Sequence, residues 1–118
     1  MPALVTLGAP VIAQDILDSF SDTINASEEV HKAIRKRAVE RFNKSFDEVA
    51  METTFKSVKC PVLGLHGFED KDVPHTHLDV LKQLNPAIDT RKYEGIGHRR
   101  ILKDEQVIQD VIDWLKKL

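Results

Sequence analysis

The chain has 118 residues, 42% of them hydrophobic and 31% charged, with a formal net charge of −2. That length fits one domain with its own core, and the near-balanced charge gives no overall pull toward nucleic acid or a membrane surface. The single cysteine, Cys60, excludes an internal disulfide framework, no apolar run nears the roughly 18 residues of a membrane span, and the expected location is cytoplasmic.

Ala3-Leu4-Val5-Thr6-Leu7 is a continuous apolar run closed by Gly8 and Pro10. It reads as a strand covered on both faces, as in a parallel sheet. A strand of that kind at residue 3 predicts that more sheet belongs before it. Ile12, Ile16, Leu17 and Phe20 then recur at helical spacing, which predicts a helix over 12–22. Asn25 or Ser27 can cap a second helix with Glu28 and Glu29 in its first turn and Val30, Ile34, Ala38 and Phe42 along its stripe. Ser45 and Glu48 fit a capping box that opens a short third helix toward Phe55.

Val62-Leu63-Gly64-Leu65-His66-Gly67 reads as a buried strand that ends in a turn. Pro74 suits the start of a helix with Leu78, Leu81 and Leu84 on one face, stopped by Asn85-Pro86. Thr90 to Glu94 is a further strand, closed by Gly95. Asp104 caps a last helix, with Val107, Ile108, Val111, Ile112, Leu115 and Leu118 assigned to one side and Lys116 and Lys117 at its negative end. The order predicts an α/β fold: three parallel strands with flanking helices, plus a helical cap-like insert over 12–56 within a single partial domain.

Polar groups in parallel α/β sheets gather where strands end. Here one such end carries His66-Gly67-Phe68-Glu69-Asp70-Lys71-Asp72-Val73-Pro74, and the next carries Gly95-Ile96-Gly97-His98. Aligned exits would bring Asp70 to His98, a carboxylate that orients an imidazole and stabilises its protonated form. Gly95 and Gly97 free the backbone to present that ring. Asp70 could instead be a plain turn residue, and Asp72 could replace it as the acid.

Residues 60–67 (CPVLGLHG), followed by Asp70 and Val73-Pro74, resemble the acid-bearing segment of α/β-hydrolases. Gly95-Ile96-Gly97-His98 ahead of an amphipathic helix resembles their histidine loop, and Leu4 to Pro10 looks like the strand that follows the nucleophile half. The resemblance implies that Asp70 is the acid of a Ser-His-Asp triad and His98 its general base. The implied activity is hydrolysis of an ester, amide or related bond. The insert would shape the acyl pocket, and no cofactor or metal would be needed.

One part of that pattern is absent. The family's nucleophile sits in a G-x-S-x-G turn. The glycines are 8, 64, 67, 95 and 97, and no pair brackets a serine. Cys60 precedes its strand, the wrong end for a nucleophile. The expectation is a family fragment that lacks the nucleophile-bearing half and does not turn over alone. It would act on a small-molecule substrate only when completed. The alternative is a non-enzymatic truncated or interaction module that self-associates through an exposed sheet edge or pairs with another chain.

The other polar features have ordinary explanations. His66 ends a strand and is structural or a neighbour of the site. His75 and His77 do not share a helix face and lack further ligands at metal spacing, so no metal site is expected. The basic stretch from Lys32 to Lys44 lacks aromatic interleaving and reads as a solvated helix face, with no nucleic-acid role. Arg99 and Arg100 flank His98 and could bind a substrate carboxylate or phosphate, or pair with acids on the last helix.

Overall fold

A computed structural model describes residues 2–42 and 55–118. The expected third helix from Ser45 lies outside the described residues. The elements are β1 (Leu4–Leu7), α1 (Ala13–Thr23), α2 (Glu28–Phe42), β2 (Val62–Gly67), α3 (Thr76–Leu84), β3 (Asp89–Tyr93) and α4 (Glu105–Lys116). Single 3-10 turns stand at Phe55–Ser57 and Arg100–Leu102. The three strands form one parallel sheet in the order β1-β2-β3, as the alternation of strands and helices implies.

β2 is central and buried along its whole length. Its side chains alternate between two cores, because successive residues of a strand point to opposite faces. Val62 packs with Leu78 and Leu81 of α3, together with Val11, Phe55 and Ile88. Leu63 and Leu65 pack with Val107 and Trp114 of α4, together with Ile96 and Ile101. The sheet is thus sandwiched between α3 and α4. Gly64 allows the close approach of α3, since a Cβ there would lie 2.5 Å from Leu78 Cδ1.

Four details depart from the expectations. The last strand begins one residue earlier, at Asp89. Asn25 does not cap α2. It takes a left-handed conformation (φ 55) just past α1, while Ser27 Oγ accepts from Val30 N–H at 3.4 Å. A 3-10 turn separates His98 from α4. The apolar residues of α4 also do not share one side: Val107 and Trp114 are buried, but Ile108, Ile112 and Leu115 are exposed, as is Leu118 just past the helix. Six apolar positions spread over this helix cover more arc than one sheet face can bury. No described helix is long and apolar enough to cross a membrane.

Candidate active site

The register ends β2 and β3 together, Gly67 opposite Tyr93, while β1 ends opposite Leu65 and its exit segment starts beside the last residues of β2. The turn after β2 is tied to the loop after β3 by backbone bonds: Phe68 N–H to Tyr93 O at 2.9 Å and Glu69 N–H to Ile96 O at 3.1 Å. Inside that turn Asp70 Oδ1 accepts from the Asp72 N–H at 3.0 Å and the Val73 N–H at 2.8 Å. Such side-chain closure is why Asp suits tight turns. Closing the turn therefore uses one oxygen of the Asp70 carboxylate and leaves the other free for a further contact.

Asp70 Oδ2 lies 2.8 Å from His98 Nδ1. The Asp70 side chain is 1% exposed and that of His98 37%. A carboxylate accepts, so Nδ1 carries the proton and Nε2 keeps its lone pair. An imidazole held this way can take a proton at Nε2 while the buried carboxylate stabilises the resulting charge.

Gly8 completes the enclosure from the β1 side. Its φ is +63°, and a Cβ there would lie 3.2 Å from Asp70 Oδ2 and 3.3 Å from His98 Nδ1. Its own N–H donates to Leu65 O at 2.8 Å, which continues the ladder with β2. Sequence reasoning used Gly8 only as a strand terminator. The signal that could have found it is a glycine directly after a strand parallel to the acid-bearing one. Gly67 is a second omission, since a Cβ there would run into the backbone carbonyl of Ile96. Gly95 is needed as expected, with φ +70°. Gly97 is not, because a Cβ there would meet only Glu69 O, at an ordinary 3.5 Å.

The remaining candidates separate. His66 is buried beside Asp70, with Nε2 2.9 Å from Val73 O and 3.4 Å from Asp70 Oδ2. Burial holds its imidazole below the ordinary value, against the upward pull of the Val73 carbonyl and the Asp70 charge. His77 Nδ1 accepts from the N–H groups of Val11 (2.9 Å) and Ile12 (3.2 Å), and so anchors the start of α1, which has no side-chain cap of its own. His75 Nδ1 lies 2.8 Å from Lys92 Nζ. The two histidines thus serve different neighbours. Arg99 and Arg100 are exposed, Arg100 opening the 3-10 turn that leads to α4.

Asp72 is exposed and stands outside the Asp70–His98 bond. Donor atoms of Asp70, Asp72 and His98 fall within 4.8 Å of one another. Both Asp70 oxygens are already engaged, by the turn amides and by His98, so the cluster is better described as a carboxylate–imidazole pair than as an open ligand set. Asp72 also borders a groove of about 500 Å³ between α1 and the acid turn, lined further by Asp15, Asp22, Lys71 and His77. Behind the histidine loop, the Tyr93 hydroxyl donates to Asp110 Oδ2 at 2.7 Å and ties the end of β3 to α4. That bond, with a smaller share from Gln106 and Arg91, draws the Asp110 carboxyl below its usual value, while burial and Asp110 push the Tyr93 phenol up.

No protein-family model and no curated protein matches the chain. Solved structures do. The chain superposes on MGS-MChE2, an α/β-hydrolase enzyme from a metagenome of lagoon sediments at Mar Chica, Morocco, with a TM-score of 0.63 and 20% identity over 98% of this chain and 50% of that one. The propionate-bound esterase Est2 of Thermogutta terrifontis gives a TM-score of 0.61 and 18% identity, over 98% and 40%. The esterase RhEst1 of Rhodococcus sp. ECU1013 gives 0.54 and 23%, over 65% and 27%. The fold is that of part of an α/β-hydrolase: three parallel strands in one open sheet with flanking helices. The chain spans about half the length of the first of these structures, and less of the other two.

Proposed function

We propose that Asp70 and His98 are the acid and the general base of a nucleophile–histidine–acid hydrolase that cleaves an ester, amide or related bond. The observation that carries this reading is the 2.8 Å contact between the buried Asp70 Oδ2 and the half-exposed His98 Nδ1 at the exits of adjacent parallel strands. The likeness in fold to esterases supports it. In such a site the base removes the proton of the attacking hydroxyl and returns it to the leaving group, while the acid stabilises the imidazolium. No G-x-S-x-G occurs in the 118 residues, so the nucleophile and its oxyanion donors come from polypeptide outside them. α1 and α2, as parts of a cap, would cover the acyl pocket.

Assay of the 118-residue chain on an activated aryl ester, beside His98→Ala, tests the claim about the nucleophile. The expected result is only background hydrolysis, equal in both. Robust turnover that His98→Ala abolishes would overturn it. Reading the coding DNA upstream of Met1 adds a second check, since an in-frame G-x-S-x-G there would supply the absent group.

A second reading rests on β1. Among the described residues no strand pairs with its outer side, and an open edge invites pairing with another chain. On this reading the chain is an interaction module that self-associates or takes up a partner strand. A monomer by light scattering across micromolar concentrations, with one cooperative melt, would count against it.

A further inference from the structure

His66 is a polar residue at a position where a central parallel strand ordinarily carries an aliphatic one. Its residue exposure is 1%, and burying a polar ring is costly unless it is hydrogen-bonded. Its Nε2 lies 2.9 Å from the carbonyl of Val73. A carbonyl only accepts, so Nε2 carries the proton and the tautomer is fixed. The same proton faces Asp70 Oδ2, at 3.4 Å from Nε2.

These contacts close a ring. The Val73 N–H donates to Asp70 Oδ1 at 2.8 Å, the Val73 carbonyl accepts from His66, and His66 stands on β2, four residues before Asp70. The acid turn is therefore held at both ends of Val73. Rotation of a carboxylate about its last torsion is soft, so its direction depends on such neighbours. Asp70 Oδ1 is fixed by the two turn amides. Oδ2 has two imidazole neighbours, His98 Nδ1 at 2.8 Å and His66 Nε2 at 3.4 Å.

We propose that His66 is a positioning residue, whose Nε2–H pins the acid turn through Val73 and steers the Asp70 oxygen that bonds His98. The inference rests on reading Asp70 and His98 as a working pair, and it acts through Asp70 rather than on any substrate. A filler role would ask only for volume. The positioning role asks for a hydrogen-bond donor at the place of Nε2.

The test is proton and nitrogen NMR on the 118-residue chain, following the His98 Nδ1–H resonance and its exchange with water. In the wild type that proton is expected at low field, and nitrogen shifts should give His66 as the Nε2–H tautomer. In His66→Leu the resonance should move upfield and exchange about tenfold faster, a change in keeping with a weakened charge-assisted hydrogen bond. His66→Gln, whose amide can donate from a similar place, should keep it. An unchanged resonance in His66→Leu, or equal loss in Leu and Gln variants, would overturn the proposal. So would an Nδ1–H tautomer in the wild type, a result that needs no variant to fold. Asp70→Asn keeps the two claims apart. A His98 resonance that survives it breaks the acid–histidine reading itself. A resonance lost in Asp70→Asn but untouched in His66→Leu removes only the role of His66.

Discussion

Gly8, directly after β1, stands against the ring of His98, ninety residues away in sequence, so closely that a Cβ at Gly8 would lie 3.3 Å from His98 Nδ1. The same Cβ would lie 3.2 Å from Asp70 Oδ2, and both distances are tighter than ordinary side-chain contact. The hydrogen bond between Asp70 and His98 is therefore enclosed by the segments that follow all three strands rather than two.

Gly8→Ala should disturb the pair and the fold together. The left-handed φ of +63° disfavours any residue with a Cβ, at a cost of about 1–2 kcal/mol. The new methyl also presses on the Asp70–His98 bond. A lower urea midpoint with a shifted His98 Nδ1–H resonance is expected. An unchanged resonance would mean that the enclosure gives way without moving the pair.

Gly67 and Gly97 should differ sharply, although both lie beside the site. A Cβ on Gly67 would collide with the Ile96 carbonyl, a backbone atom that also accepts from Glu69 N–H. Relief requires moving the histidine loop away from the acid turn. Gly67→Ala should therefore cost stability of the order of 1–3 kcal/mol, as overpacking does, and detach His98 from Asp70. Gly97→Ala meets only ordinary contact and should stay within about 0.5 kcal/mol of wild type. Denaturant melts of the two variants side by side check the contrast. Equal losses would refute it.

Gly8 and Gly67 mark the limit of what the sequence shows. Its local signals were readable. Asp104 caps α4 by accepting from Gln106 N–H at 3.0 Å and Val107 N–H at 3.1 Å, as its place before the apolar run implied. The meeting of Asp70 and His98 was readable because short turn signatures surround both. Gly8 and Gly67 matter through contacts with residues far along the chain, and nothing local distinguishes them from strand terminators. The split face of α4 was hidden for a similar reason. Periodicity counts apolar positions, but which of them are buried depends on where the sheet lies, and Trp114 rather than Leu115 turned inward. His66 could be read only as structural or a neighbour of the site, because its partners, the Val73 carbonyl and the second oxygen of Asp70, appear only once the turn is folded.

Acid should weaken the fold partly through His66. Burial lowers its folded pKa below the 6.5 of an unfolded chain. Between those two values the unfolded state binds more protons, so stability rises with pH there. The contribution of neutral His66 is therefore complete above 6.5 and is lost as pH falls below it toward the folded value. Urea unfolding at stepped pH below neutrality should show this decline. His66→Gln, which cannot titrate, should show a shallower slope over the same window. An identical slope would mean that the decline arises elsewhere.

Asp70 gives the most direct separation of fold from chemistry. Asp70→Ala leaves the buried Val73 N–H without its acceptor and opens the turn, a loss of about 1–3 kcal/mol for one unsatisfied buried donor. Asp70→Asn keeps a carbonyl oxygen for the two turn amides and removes only the charge and the second acceptor facing His98. Its urea midpoint should accordingly lie closer to wild type than that of Asp70→Ala. The His98 Nδ1–H signature should vanish in both, because an amide nitrogen cannot accept from the imidazole. If a nucleophile-bearing polypeptide restores esterase activity to the wild-type chain, neither variant should share it, and only Asp70→Ala should be visibly less stable. Activity retained by Asp70→Asn would assign the acid to another carboxylate, with Asp72 the nearest alternative.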